Sequence, residues 1–422
     1  MAADLRASRQ WLFALGISGS IAAGIGIGRC ATRVTAPPPQ RTTVKSIAVM
    51  PPTTTCAAID PAPAPIRTPT LVDVADERIQ RREKALAHEL AAMWTRDPDA
   101  LVRVLDHASR SDPDSPPVTL LLAIAHAETN GQILDVSEAG AVGLAQATPV
   151  ACRQEKFDGK LFVTNDYLAG SRAYITKKPL GDADTIASNV LAHDTKATRA
   201  RAKRLLTSAI ELRREGLDEL DLLEPFAPDG YYEKISAADE HSRKVLEELH
   251  PLLEHGSRKQ LLAFRDRTRR EYRQLKSIQL SSWRRYQLEL AAKRDQMLVH
   301  HFGMSADLVK KTMAYEAGEW LGQELDERFS ATRMADFLVK HLESKAKQAR
   351  HLAGKRNVEE MTAALYNGGS HNVKRMLAGL IASLPETQRY MKKVPATRRR
   401  LDVAAAAAAK EPASQHSDVT VR

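Results

Sequence analysis

Across most of this chain apolar residues recur at three- and four-residue steps between charged ones, the spacing of helices that bury one face. In "ERIQRREKALAHELAAMW" and "DALVRVLDHASR" that step predicts two amphipathic helices, with the turn supplied by "RDPD" between them. The next stretch breaks the pattern. "VTLLLAIAHA" is apolar on every side and so predicts a buried helix, yet it ends on one acid, Glu128, whose carboxyl is then partly desolvated. Gly131, Gly140 and Gly143, with Ser137 and Gln146 among them, lead from there to Pro149, which predicts a tight loop. Further on, "DYLAGSRAYITKK" reads as a short amphipathic helix, residues 181–310 as a highly charged helical run, and "VEEMTAALYNGGSHNVKRMLAGL" as a return to a more apolar pattern. Val and Ile runs are few, so the class is mainly α.

The two ends follow other rules. Residues 11–28, "WLFALGISGSIAAGIGIG", are uncharged, apolar and preceded by Arg6 and Arg9. A stretch of ~20 such residues is enough to cross a bilayer, so residues 1–35 are expected to be a membrane anchor or signal segment. Residues 36–70, rich in Pro, Thr and Ala, predict an extended linker, and residues 399–422 a disordered, low-complexity tail. The folded part then divides into 72–180, a basic helical insertion at 181–310, and 311–398.

Charge adds one feature. The net charge is +10, and within residues 258–294 twelve Lys and Arg face three Asp and Glu. Leu261, Phe264, Tyr272, Leu275, Tyr286 and Leu290 recur at helical spacing beneath that basic face. The plain reading is a long helix with a solvated side. Attraction to an anionic membrane surface or to a carboxylate-bearing polymer is the functional one, and nucleic acid is not expected as a partner of an exported chain. Cys30, Cys56 and Cys152 lack metal-ligand spacing, and neither His250 with His255 nor His300 with His301 forms a helix-face metal motif, so no metal and no cofactor are expected.

Three blocks in order resemble the catalytic domain of the soluble lytic transglycosylases. The first is Glu128-Thr129 followed by Ser137, Gly140, Ala141, Gly143, Leu144, Gln146 and Pro149. The second is Tyr366, Asn367, Gly369 and Val373, and the third is Pro385, Glu386, Thr387, Tyr390 and Val394. Ala145, Thr148 and Gly368 depart from the family pattern, and Glu128 and Tyr366 are separated far more widely than usual. "MAYEAGEWLGQELDERF" and "DYLAGSRAYITKK" compete for the place of one family helix, which leaves the borders of the insertion open.

The resemblance implies a lysozyme-like core, interrupted by the insertion, that cleaves the β-1,4 bond of peptidoglycan on the periplasmic side of the inner membrane. It implies Glu128 as the single catalytic acid and base, with Ser137, Gln146, Tyr366 and Asn367 binding substrate. Protonation of the leaving oxygen needs a carboxylic acid of raised pKa, and attack by the muramic 6-hydroxyl, an intramolecular step with a large effective molarity, gives a 1,6-anhydro sugar without a second protein carboxylate. A lysozyme-type muramidase would need that second carboxylate, for which Asp135 and Glu138 are the local candidates. The other rivals are a catalytically weak glycan-binding scaffold and, last, a basic nucleic-acid-binding protein.

Overall fold

The helical spacing is realised as fourteen α-helices, and the described residues contain no strand. The computed structural model describes residues 71–410 apart from 112–114, 355 and 382–383. The expected anchor at 11–28, the linker at 36–70 and the end of the tail lie outside the described residues. No helix among the described residues is long and apolar enough to cross a membrane.

One core joins α1 (Leu71–Ala92), α2 (Pro98–Arg110) and α3 (Val118–Thr129) to α11 (Ala331–Leu352), α12 (Val358–Gly368) and α14 (Pro385–Lys410). Leu90, Leu105, Leu121, Ile124, Leu338 and Val394 meet there. Because α3 is surrounded on all sides, its uniformly apolar sequence is what its position requires. The expected tail starts later than composition suggests. α14 continues through the alanine run to Lys410, with Leu401 buried in the core, since alanine has the highest helix propensity of any residue.

A second core lies in the charged segment, between α5 (Asn165–Ala192), α6 (Lys196–Asp221), α7 (Tyr231–His255) and α8 (Arg258–Phe302). Residue 181 falls inside α5, and residue 310 inside α9 (Ala306–Thr312), so the segment does not separate at the expected borders. Its longest helix is tied to the rest. α8 packs along α5, burying Leu261 and Phe264 in the second core and Tyr286 and Leu290 in a third, while Tyr272 and Leu275 are half-buried.

That third core holds the loop after α3. Ile133, Leu134, Val136 and Val142 pack against Tyr167 of α5, Tyr286 of α8, Leu321 of α10 (Ala314–Glu324) and Phe329. Val142 makes isolated antiparallel bridges to Val136 and Ala147, too short to hold the loop alone. The missing support is a fully buried ion pair. The Arg328 guanidinium binds both carboxylate oxygens of Asp326, donates to the Gly140 and Ala147 carbonyls at 3.0 and 3.1 Å, and donates to the Tyr286 hydroxyl at 2.8 Å. The Tyr286 hydroxyl in turn donates to the Phe162 carbonyl at 2.7 Å, and Asp326 also accepts from the Phe162 N–H at 2.9 Å. Gly143, at φ 74°, lies so close beneath that a Cβ there would stand 1.9 Å from the Arg328 carbonyl oxygen. α8 adds two more donors, with Gln287 Nε2 on the Val136 carbonyl at 3.0 Å and Arg294 on the Leu134 carbonyl.

Removing one member of a buried, hydrogen-bonded pair strands its partner's charge, at a cost of about 3–5 kcal/mol. Arg328→Met should lose stability on that scale in denaturant unfolding and double replacement with Asp326→Leu should recover part of it, whereas a loss under about 1 kcal/mol would show that the loop holds without the clamp.

Candidate active site

α3 ends where Asn130 takes a left-handed φ of 50° and its N–H closes on the His126 carbonyl at 3.1 Å. Glu128 is therefore in the last turn, where free helix carbonyls disfavour a negative charge. Behind it, Thr95 Oγ1 and His126 Nδ1 share a buried hydrogen bond of 2.9 Å, and burial pushes the His126 pKa down to about 4. Glu128 itself faces a cavity of about 680 Å³.

Crowding by protein raises the Glu128 pKa from 4.5 to about 7. The side chain is only half-buried by surface, because one side opens to the cavity, but desolvation on the others dominates. Tyr390 opposes the shift through its nearby hydroxyl, Glu386 reinforces it by repulsion, and Lys393 opposes it by attraction. The Tyr390 hydroxyl is enclosed and turned toward the carboxyl, yet too loosely placed for a formed hydrogen bond. Such a carboxyl holds a proton near neutral pH and can give it up when charge develops beside it.

All five residues expected at the site line this cavity: Glu128, Ser137, Gln146, Tyr366 and Asn367. Their bonds refine the expected roles. Tyr366 does not donate to Glu128, because its hydroxyl is committed to the Ala145 carbonyl at 2.6 Å. Its ring stacks on that of Tyr390, 6.3 Å between centroids, so Tyr390 stands next to the acid in its place. Gln146, at a left-handed φ of 44°, donates from Nε2 to the Gly143 carbonyl at 3.1 Å and so helps to hold the loop as well as lining the cavity. Ser137 Oγ accepts from the Ala141 N–H at 3.0 Å within a turn, not at a helix start. Asn367 Oδ1 accepts from Thr387 Oγ1 at 3.0 Å, and its amide nitrogen has no hydrogen-bond partner among the described residues.

Of the candidate second carboxylates, Asp135 does not line the cavity and accepts from the Val136 N–H at 3.0 Å. Glu138 lines it, and so does Glu386, which sequence reasoning placed in a motif without giving it a part in the site. Trp283 and Glu219, from the charged segment, line it as well. They were missed because residues brought in from a distant helix carry no local spacing to mark them. No group of metal-ligating side chains occurs among the described residues.

The raised pKa has a consequence for stability. Glu128 is protonated more readily in the folded chain than in the unfolded one, so its contribution is complete below about pH 4.5 and is lost as pH rises through about 7. Glu128→Gln is neutral throughout and should unfold at a higher temperature than the wild type at pH 8, by up to about 3 kcal/mol, with little difference at pH 4. An equal difference at both pH values would mean that the carboxyl is not perturbed. No family model, curated protein or solved structure matches the chain, and the chemistry of the site therefore rests on its own geometry.

Proposed function

We propose that the chain is a peptidoglycan lytic transglycosylase, in which a lysozyme-like core uses Glu128 as acid and then base. The observation that carries this reading is a lone acid at the end of a buried helix, with its pKa raised to about 7 and facing a cavity lined by Ser137, Gln146, Tyr366 and Asn367. In the first half of the reaction Glu128 protonates the glycosidic oxygen as positive charge grows on the ring. The Glu128 carboxylate then takes the proton of the muramic 6-hydroxyl as that oxygen closes on the anomeric carbon, which returns the acid to its starting state. The stacked pair of Tyr366 and Tyr390 and the clamped loop keep the wall around the acid in place throughout. A cell-envelope location on the periplasmic side, by anchor or export, follows from the substrate.

A lysozyme-type hydrolase is the second reading, favoured by one observation. Glu386 and Glu138 face the same cavity, and Glu386 is near enough to Glu128 to raise its pKa. Either carboxylate would serve a hydrolase by holding water or the ring cation.

Glu128→Gln should lower turnover of purified peptidoglycan by at least about 10²-fold while glycan binding persists; activity within a few fold of wild type would remove Glu128 from its role. For the wild type, kcat/KM should fall as pH rises above about 7, where Glu128 loses its proton. Tyr390→Phe removes the group that holds this pKa down, so the alkaline limb should move to higher pH. A limb that stays in place would contradict the assignment of Glu128 as the titrating acid.

A further inference from the structure

One wall of the cavity, formed by α5 and α8, carries two aromatic rings and a lysine that take no part in the proposed proton transfer. Trp283 lines it, pressed so tightly on Gly170 that a Cβ there would stand 2.3 Å from the indole Cδ1. The Tyr174 ring lies 5.3 Å from the indole, and its hydroxyl accepts from Asn372 Nδ2 at 2.7 Å. Both rings are thus fixed before any ligand arrives. Beside them the Lys178 side chain, only 3% exposed, places its ammonium 4.2 Å from the centre of the Tyr174 ring. That ammonium makes no hydrogen bond among the described residues; its nearest carboxylate, Glu219, stands off at 3.8 Å. The Tyr174 ring face holds the ammonium at the edge of a cavity large enough to bring it an acceptor.

The surrounding charges are otherwise engaged. Lys345 donates to Ser370 Oγ at 3.2 Å, Lys177 donates to Gln279, and Arg375 is paired with Asp182. Glu155 is paired with His341 Nδ1 at 2.8 Å, while Glu219 is shared electrostatically between Lys178 and Lys345. His371 stays neutral, with its pKa pushed down to about 2 by burial and then by Lys178, so it adds no positive charge to this wall.

We propose that Trp283, Tyr174 and Lys178 form a subsite for a carboxylate-bearing arm of the glycan, with the arm's apolar surface against the two rings and its carboxylate on the Lys178 ammonium. This rests on the glycan reading of the cavity and extends it to the substituent on the muramic ring. Two sources share the chemistry: the carboxylates of an attached stem peptide, and the lactyl carboxylate bared when that peptide is removed.

The test uses the full chain and three probes: peptide-bearing glycan strands, strands stripped of peptide, and chitin oligosaccharides, which carry no carboxylate. Lys178→Met should raise KM for a carboxylate-bearing strand by roughly 10-fold with kcat little changed, leave the Kd for chitin oligosaccharides unaltered, and be largely rescued by Lys178→Arg. An effect confined to peptide-bearing strands assigns the stem carboxylates, and one confined to stripped strands assigns the lactyl group. An unchanged KM on both strands, or a parallel loss of chitin affinity, would overturn the subsite and reduce Lys178 to a structural residue. If the wild type cleaves neither strand but binds both, and Lys178→Met weakens only that binding, the transglycosylase reading fails while the subsite stands. A wild type that binds none of the three probes would overturn both.

Discussion

The buried pair of Arg328 and Asp326 is the interaction on which the site depends. The loop after α3 has almost no regular structure of its own, only bridges at Val142, and its Gly140 and Ala147 carbonyls accept from one guanidinium. A charge so deep is tolerated because every side of it is answered: Asp326 neutralises it, two carbonyls accept from it, and Tyr286 links it to α8. The closeness of Gly143 to the Arg328 backbone means that loop and clamp cannot shift independently. Ser137 and Gln146 owe their places at the cavity to that arrangement.

The acid depends on a different balance. α3 is buried on all sides, so Glu128 can face only the cavity, and the same burial that fixes its direction raises its pKa. Repulsion from Glu386 pushes further in that direction, while Tyr390 and Lys393 hold the value near 7. A carboxyl tuned in this way is worth little to stability at neutral pH. In the proposed reaction its raised proton affinity, a cost to the folded chain at alkaline pH, serves the step at which a leaving oxygen needs a proton.

Much of this was legible in the sequence, and the rest was hidden for physical reasons. The mainly α class followed from helical spacing, and Glu128 stood out because a single acid interrupts an otherwise uninterrupted apolar helix. The clamp did not stand out. Arg328 and Asp326 occur in a charged stretch where the same residue types are ordinarily solvated, and only the tertiary fold brings the distant carbonyls to them. For the same reason α8 read as a helix with a solvated basic face, although Gln287 and Arg294 reach the loop backbone and Trp283 reaches the cavity. Tyr390 was visible in a motif, but its place beside the acid was not, because Tyr366, the more obvious tyrosine, is taken by the Ala145 carbonyl.

In the proposed reaction Glu128 works without a second catalytic carboxylate, even though Glu386 and Glu138 share its cavity. The direct measurement is mass spectrometry of the sugars that the wild-type chain releases from purified peptidoglycan. Intramolecular attack predicts 1,6-anhydromuramic ends, one water lighter than hydrolysis products. Reducing muramic ends would contradict the claim and assign one of those two carboxylates the task of delivering water.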